Sequence, residues 1–182
     1  DTASALIGLS LKVKGEQHLW SHRPAVFIFN HQSNVDLVIL ARLLRRDISV
    51  VGKKEIGDLP LIGRILEFSG VVLIDRKDSV QAIEAVNALV DIMQIEGKSV
   101  CMSPEGTRSL TPKLATFKKG AFHLAMQAGV PIVPIVIQNS TDVNPKGSSI
   151  YHPATVEVEV LPPVATTDWS VETIDEPLGL TS

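Results

Sequence analysis

Short apolar runs alternate along this chain with longer stretches in which apolar residues recur at helical spacing. The apolar runs, some continuous and some alternating, predict strands at residues 9–13, 25–29, 48–51, 71–74, 99–102, 132–137 and 155–160. Helical spacing predicts helices at residues 36–44, 61–68, 79–95 and 120–128. This order predicts an α/β fold in which a mostly parallel central sheet is flanked by helices. The strict alternation of residues 155–160 predicts a half-exposed edge strand.

The chain is long enough for one domain with a core of ordinary size, since it has 182 residues of which 45% are apolar. Residues 1–161 form the predicted domain, and residues 162–182, with three prolines and little periodicity, form an acidic tail. No apolar run approaches the length of about 18 residues that a membrane span requires. Because the chain begins with Asp1 and not with Met, we expect it to be a fragment of a longer protein.

Charge and cysteine content narrow the function classes. Residues 1–139 carry sixteen basic and thirteen acidic side chains, whereas residues 140–182 carry one and seven. A nucleic-acid binder is usually strongly basic, and 4% aromatic residues are too few for base stacking. A small anionic ligand or an anionic membrane surface fits this balance. The single cysteine, Cys101, excludes a disulfide framework and a cysteine zinc cluster, and its apolar neighbours predict a buried, inert thiol in a reducing compartment.

Residues 30–36 (NHQSNVD) are the first candidate site, because they directly follow a buried strand and open a helix. A helical turn that begins at Ser33 brings the Asp36 carboxylate back to the His31 ring. A carboxylate on one imidazole nitrogen fixes the tautomer and leaves the other nitrogen basic, as a general base for a hydroxyl must be. The alternative is a simple helix start, in which Asn30 and Ser33 cap the helix and Asp36 suits its positive end.

Residues 103–109 (SPEGTRS) are the second candidate site and follow another buried strand. Gly106 allows close approach of the backbone to a ligand, Thr107 offers a hydroxyl, and Arg108 offers a bidentate fork for phosphate. Glu105 is a candidate either to orient Arg108 through an ion pair or to hydrogen-bond a sugar or glycerol hydroxyl. The alternative is a surface turn with a solvated salt bridge.

Other site patterns are absent from the sequence. It contains neither the GxxxxGK[ST] pattern of a nucleotide P-loop nor the GxSxG pattern of a serine hydrolase. His22, His31 and Asp36 lack the compact spacing of metal ligands, so no metal site is predicted.

Two smaller polar clusters accompany the candidate sites. Residues 75–77 (DRK) follow a predicted strand, and residues 117–120 (FKKG) precede a helix. Because the carboxyl ends of parallel strands share one edge, we expect these clusters and both candidate sites to converge on one rim of the sheet. Five basic residues form a candidate docking surface for an anionic bilayer, with plain solvation as the alternative: Arg42, Arg45, Arg46, Lys53 and Lys54.

Four motifs in sequence order carry a family resemblance: NHxSxxD at 30–36, GVVLIDR at 70–76, PEGTRS at 104–109 and VPIVPI at 130–135. In order and spacing they resemble the motifs of the lysophosphatidate acyltransferase family, within the glycerolipid acyltransferase superfamily. The resemblance implies transfer of an acyl chain from acyl-CoA or acyl-carrier-protein to the sn-2 hydroxyl of 1-acylglycerol 3-phosphate, which gives phosphatidic acid. It also implies work at the cytoplasmic side of a membrane, with peripheral attachment or anchors outside this chain, and no cofactor.

The resemblance also implies roles for single residues. His31 resembles the catalytic base and Asp36 its orienting partner. The positions that contact the glycerol phosphate are occupied by Arg76, Glu105, Gly106, Thr107 and Arg108. Residues 130–137 resemble the motif linked to the acyl pocket, while Ser103 and Leu73 stand where aromatic residues are frequent. The alternatives are acylation of glycerol 3-phosphate or another lysophospholipid, and a non-catalytic module that binds anionic lipid.

Overall fold

The computed structural model describes residues 9–53, 71–74, 79–108, 113–144 and 150–175. Its strands are β1 (Leu9–Lys14), β2 (Val26–Phe29), β3 (Ile48–Lys53), β4 (Val71–Ile74), β5 (Ser99–Met102), β6 (Ile132–Gln138) and β7 (Ala154–Val160). Its helices are α1 (His18–Ser21), α2 (Val35–Leu44), α3 (Ser79–Ile95), α4 (Gly120–Ala128), α5 (Ser140–Val143) and α6 (Val171–Asp175). The predicted helix at 61–68 lies outside the described residues.

The described strands form one sheet in the order β1-β7-β6-β2-β5-β3-β4. Strands β2 to β6 run parallel to one another, and β7 pairs antiparallel with β6 and parallel with β1. The prediction of a mostly parallel α/β sheet is therefore confirmed.

The prediction that residues 155–160 form an edge strand is wrong. Strand β7 lies between β1 and β6, and β1 occupies the edge. Alternation shows only that one face of a strand is buried and the other exposed, as in the observed burial pattern of β7. It carries no information about which strands lie alongside.

The core lies on both faces of the sheet, and β2 contributes to each. Its side chains alternate, so that Phe27 and Phe29 pack with the buried residues of α2, whereas Val26 and Ile28 pack with those of α3 and α4. All four residues of β2 are buried, which explains the continuous apolar run in the sequence.

The segment that the sequence assigns to the tail packs partly against the domain. Val164 forms an antiparallel bridge with Ile132, and the Thr166 hydroxyl donates to the Val130 carbonyl at 2.9 Å. Trp169 lies against Phe122 of α4, with the ring centroids 6.1 Å apart. Isolated backbone pairing of this kind has no periodic signature, so the sequence does not reveal it.

Two consequences of this topology matter for the site. Strands β5 and β6 flank β2 directly, so the loops that follow these three strands meet at one edge, the carboxyl rim. The basic residues of the proposed docking surface do not all lie at one edge of the sheet. Arg46 lies before β3 and Lys53 ends it, so the rise per residue of a strand places them roughly 20 Å apart. Among the described residues, no helix combines the length and apolarity needed to cross a bilayer.

Candidate active site

Asn30 closes the end of β2 onto β6. Its side-chain amide donates from Nδ2 to the Ile137 carbonyl at 2.8 Å and accepts from the Ile137 amide at 2.7 Å. The side chain thus substitutes for a backbone pairing partner where the strand ends, and it does not cap α2 as one reading of the sequence proposed. This pair fixes where the chain leaves the sheet, immediately before His31.

Asp36 orients the His31 ring. The two side chains meet at 2.9 Å between Nδ1 and Oδ2, and the same carboxylate oxygen accepts the amides of Gln32 and Ser33 at 2.8 Å each. Because Oδ2 is an acceptor for all three, Nδ1 carries the proton and Nε2 is left as the basic nitrogen. The Asp36 side chain is fully buried, whereas the His31 side chain is 18% exposed at the rim. The other carboxylate oxygen, Oδ1, is buried and has no hydrogen-bond partner among the described residues.

Ser33 organises the start of α2 and ties it to a distant loop. Its hydroxyl accepts from the Val35 amide at 3.3 Å and donates to the Asn144 carbonyl at 2.7 Å. The helix-start interpretation and the general-base hypothesis for residues 30–36 are therefore compatible, since Ser33 bonds the helix start and Asp36 bonds the histidine.

Glu105 holds the backbone of the site. Its two oxygens accept from the His31 amide at 3.2 Å and from the Ala115 amide at 2.9 Å. The residue is only 3% exposed, so the carboxylate joins three segments of chain inside the protein. The sequence offered an ion pair with Arg108 or a substrate hydroxyl as its partner; a backbone clamp was not among the readings, because His31 lies 74 residues away.

Gly106 and Thr107 form the turn that follows Glu105. Gly106 has φ +75°, which favours glycine, and a Cβ there would lie 3.1 Å from Cε of Lys118. The Lys118 amide also donates to the Pro104 carbonyl at 2.8 Å, so both the backbone and the side chain of Lys118 contact this turn. Thr107 is exposed.

Arg108 reaches across the rim to the start of α2, where Nη1 donates to Oδ1 of Asn34 at 2.8 Å. The phosphate-binding candidate therefore lies beside the helix that carries Asp36. Arg76, the second predicted phosphate contact, lies outside the described residues.

An apolar cavity of about 460 Å³ opens beside the histidine. Its lining comes from the end of β2, from most of β6, from segments that follow β2, β5 and β6, and from Leu161 after β7: Ile28, Phe29, Asn30, Gln32, Pro104, Leu114, Phe117, Pro134, Ile135, Val136, Ile137, Gln138, Asn139 and Leu161. The volume is typical of a small-molecule site, about 300–1,000 Å³. Residues 130–137 were linked to such a pocket by resemblance, whereas Leu114 and Leu161 gave no signal in the sequence.

The fold also shows where Cys101 and His22 lie relative to the candidate site. Cys101 is fully buried in β5, and this burial raises the pKa of its thiol, as expected for an inert cysteine. His22 lies before β2 and His31 after it, so these two side chains are at opposite ends of the strand. Within the described ranges there is no group of three or more His, Cys, Asp or Glu side chains that a metal ion would need.

Comparisons with known proteins show which family the chain resembles. The Acyltransferase family profile matches residues 10–138. A 1-acyl-sn-glycerol-3-phosphate acyltransferase of Saccharomyces cerevisiae is 36% identical over 174 residues, covering 94% of this chain and 57% of the relative. The protein of the same name from Escherichia coli (strain K12) is 34% identical over 171 residues, covering 94% of this chain and 69% of the relative.

The fold has a solved counterpart. The crystal structure of the 1-acyl-sn-glycerophosphate (LPA) acyltransferase PlsC from Thermotoga maritima superposes with a TM-score of 0.78 at 23% identity, covering 94% of this chain and 68% of that chain. The chain spans little more than half the length of the yeast relative. The profile match and the identity to the two relatives confirm the resemblance in the motifs: the chain belongs to the acyltransferase family.

Proposed function

We propose that the protein transfers a fatty acyl chain from acyl-CoA or acyl-carrier-protein to the sn-2 hydroxyl of 1-acylglycerol 3-phosphate, which gives phosphatidic acid. The observation that carries the proposal is the His31–Asp36 pair, 2.9 Å apart and open at the rim beside an apolar cavity. The names of the yeast and Escherichia coli relatives support the choice of acceptor.

The chemistry follows from the tautomer of His31. Nε2 removes the proton of the acceptor hydroxyl, whose oxygen attacks the thioester carbonyl carbon. The tetrahedral oxyanion then collapses, the carbon–sulfur bond breaks, and the thiolate leaves with the proton that Nε2 returns. The buried Asp36 side chain stabilises the imidazolium between these steps. No metal ion or cofactor enters the balance.

The acceptor phosphate is proposed to lie against Arg108, with Arg76 as its second cation and the Thr107 hydroxyl as a hydrogen-bond donor. Arg108 is anchored at the start of α2, the helix that carries Asp36, so the cation and the base are held by one element. Gly106 permits the close approach of the Lys118 side chain to the turn, and Glu105 contributes indirectly by holding the His31 backbone.

The acyl chain is proposed to occupy the cavity at the ends of β2 and β6. Its walls are mainly aliphatic and aromatic, and they include Asn30 and Gln32, the two neighbours of His31 in the chain. Because both substrates are amphiphiles, the protein is proposed to work at the cytoplasmic face of a membrane, attached peripherally or through segments outside this chain.

The proposal is tested by thiol release from oleoyl-CoA in the presence of phosphatidylcholine vesicles, with and without 1-oleoylglycerol 3-phosphate. We expect acceptor-dependent release by the wild type, loss of at least about 10³-fold in His31→Ala, and no loss in His22→Ala. His22→Ala is the matched control, because the same side chain is removed at the opposite end of β2.

The outcome also separates the alternatives. Release without acceptor indicates a thioesterase, and faster release with glycerol 3-phosphate or another lysophospholipid identifies a different acceptor. Vesicle binding without release from either oleoyl-CoA or oleoyl-acyl-carrier-protein indicates a lipid-binding module and contradicts the proposal.

A further inference from the structure

The side chain of Asn34 joins the two halves of the site. Its Oδ1 accepts a 2.8 Å hydrogen bond from Nη1 of Arg108, 74 residues further along the chain. A second link joins the same two loops, since the His31 amide donates to the Glu105 carboxylate at 3.2 Å. The loop after β5 is thus tied to the loop after β2 at two points, three residues apart on each side.

The side chain of Asn34 does not cap the helix that it precedes. It occupies the position before α2 with helical dihedral angles, and its side chain makes no capping hydrogen bond. The Val35 amide is satisfied by the Ser33 hydroxyl, and the Asp36 amide donates to the Ser33 carbonyl. Removal of the side-chain amide of Asn34 therefore leaves the backbone hydrogen bonds at the start of the helix intact.

We infer, resting on the acyl transfer proposed above, that Asn34 is a positioning residue that sets where the acceptor phosphate binds relative to His31. The Asn34 amide bonds the Arg108 guanidinium at the start of α2 and, being neutral, adds no negative charge beside it. In 1-acylglycerol 3-phosphate the reactive hydroxyl is on the carbon next to the one that bears the phosphate. A displaced phosphate therefore carries the hydroxyl away from Nε2, and small displacements of reacting groups cost large factors in rate.

Two substitutions separate position from charge. Asn34→Ala removes the hydrogen bond that draws Arg108 to the start of α2, and we expect kcat/KM for 1-oleoylglycerol 3-phosphate to fall about tenfold. Asn34→Asp keeps the acceptor oxygen but pairs Arg108 with a carboxylate, which competes with the phosphate. For that variant we expect kcat close to wild type and a KM for the acceptor raised several-fold. Asn87→Ala, on the exposed side of α3, is the matched control with no change in either constant.

A double-mutant cycle then tests whether Asn34 acts through Arg108. In the Arg108→Ala background, Asn34→Ala is expected to have no further effect on kcat/KM. An equal loss in both backgrounds would overturn the inference, as would unchanged constants for Asn34→Ala in an active protein. An inactive wild type with every donor and acceptor would instead remove the proposed function, and this inference with it. The melting temperature of all variants should match wild type; a loss of stability in Asn34→Ala would assign the residue a structural role and contradict the inference.

Discussion

The polar side chains at the two ends of β2 have different roles. At each end, a charged side chain bonds to backbone groups next to α2, at the start of the helix in one case and at its end in the other. At the carboxyl end, Asp36 accepts two backbone amides and still holds the His31 ring, which is partly exposed. At the amino end, Arg23 donates to the carbonyls of Leu19, Leu44 and Arg46 at 2.8, 3.2 and 2.7 Å. Each charge suits the end of the helix dipole that it meets.

The amino end is a structural clamp. The Arg23 guanidinium also lies over the Trp20 ring, 4.2 Å from its centroid, and burial lowers the pKa of the guanidinium, although Asp47 opposes this shift. It fixes the turn between α2 and β3, where Arg45 and Asp47 adopt positive φ. All three of its nitrogens donate to carbonyls, whereas at the other end Asp36 bonds only Nδ1 of His31 and the proposed base is Nε2. A polar cluster beside a buried strand is therefore a site only where bonding leaves a reactive group over.

Replacement of Asp36 is the largest expected effect and acts on rate. Asp36→Asn removes the charge that stabilises the imidazolium, and we expect kcat to fall on the order of 10³-fold. The new amide nitrogen takes the place of Oδ1, which has no partner among the described residues, so a moderate loss of stability accompanies it. Acceptor-dependent thiol release and urea denaturation measure the two effects. Asp91→Asn, at an exposed position of α3, is the control. Equal activity of the Asp36 and Asp91 variants would contradict the proposed role of Asp36.

Replacement of Arg23 should act on stability alone. Arg23→Ala leaves three carbonyls without this donor, and we expect the free energy of unfolding to fall by about 3 kcal/mol. The kcat of the folded protein should not change, since the clamp is at the far end of β2. Arg45→Ala, whose exposed side chain pairs with Glu16 at 3.5 Å, should cost under about 0.5 kcal/mol. A kcat that fell with Arg23→Ala would show that the two ends are coupled.

Glu105→Gln tests whether the carboxyl end also depends on a backbone clamp. The amide can accept only one of the two hydrogen bonds that Glu105 accepts, because its nitrogen would face the N–H of His31 or of Ala115. We expect a loss of about 2 kcal/mol in urea denaturation, with a lower kcat because the His31 backbone is released. Glu157→Gln, exposed on β7, provides the control. If Glu105→Gln retained full stability and lost only acceptor affinity, Glu105 would be a substrate contact instead.

The middle of the sheet should respond only to high pH. Burial raises the pKa of Cys101 above the ordinary value of 9.0, so above pH 9.0 the unfolded chain loses a proton that the folded chain keeps. The stability contributed by the protonated thiol is complete below pH 9.0 and decreases as pH rises, by up to about 1.4 kcal/mol per unit. Denaturation at pH 8, 9 and 10 should show a steeper loss in wild type than in Cys101→Ala. Identical slopes would contradict the shift.

The sequence predicted the helices and strands well where periodicity was strong. The bounds of α3, β5 and α4 agree with those predicted, and Gly129 ends α4 with φ +67° as a C-terminal glycine should. The short helices α1, α5 and α6 were not predicted, because one turn of helix is too short to show a period. The approach of His31 and Asp36 was predicted because the two residues are only five positions apart in the chain.

Local pattern thus determined which residues form elements, which faces are buried, and that His31 and Asp36 approach each other within residues 30–36. The tertiary structure alone decided that β5 and β6 flank β2, and with it the contacts of Glu105 with His31, Arg108 with Asn34 and Asn30 with Ile137. The physical reason is that period and spacing are properties of neighbouring residues, whereas strand order follows from packing between segments 74 to 107 residues apart. The cavity arises in the same way, because its walls come from strands and loops that only the folded sheet brings together.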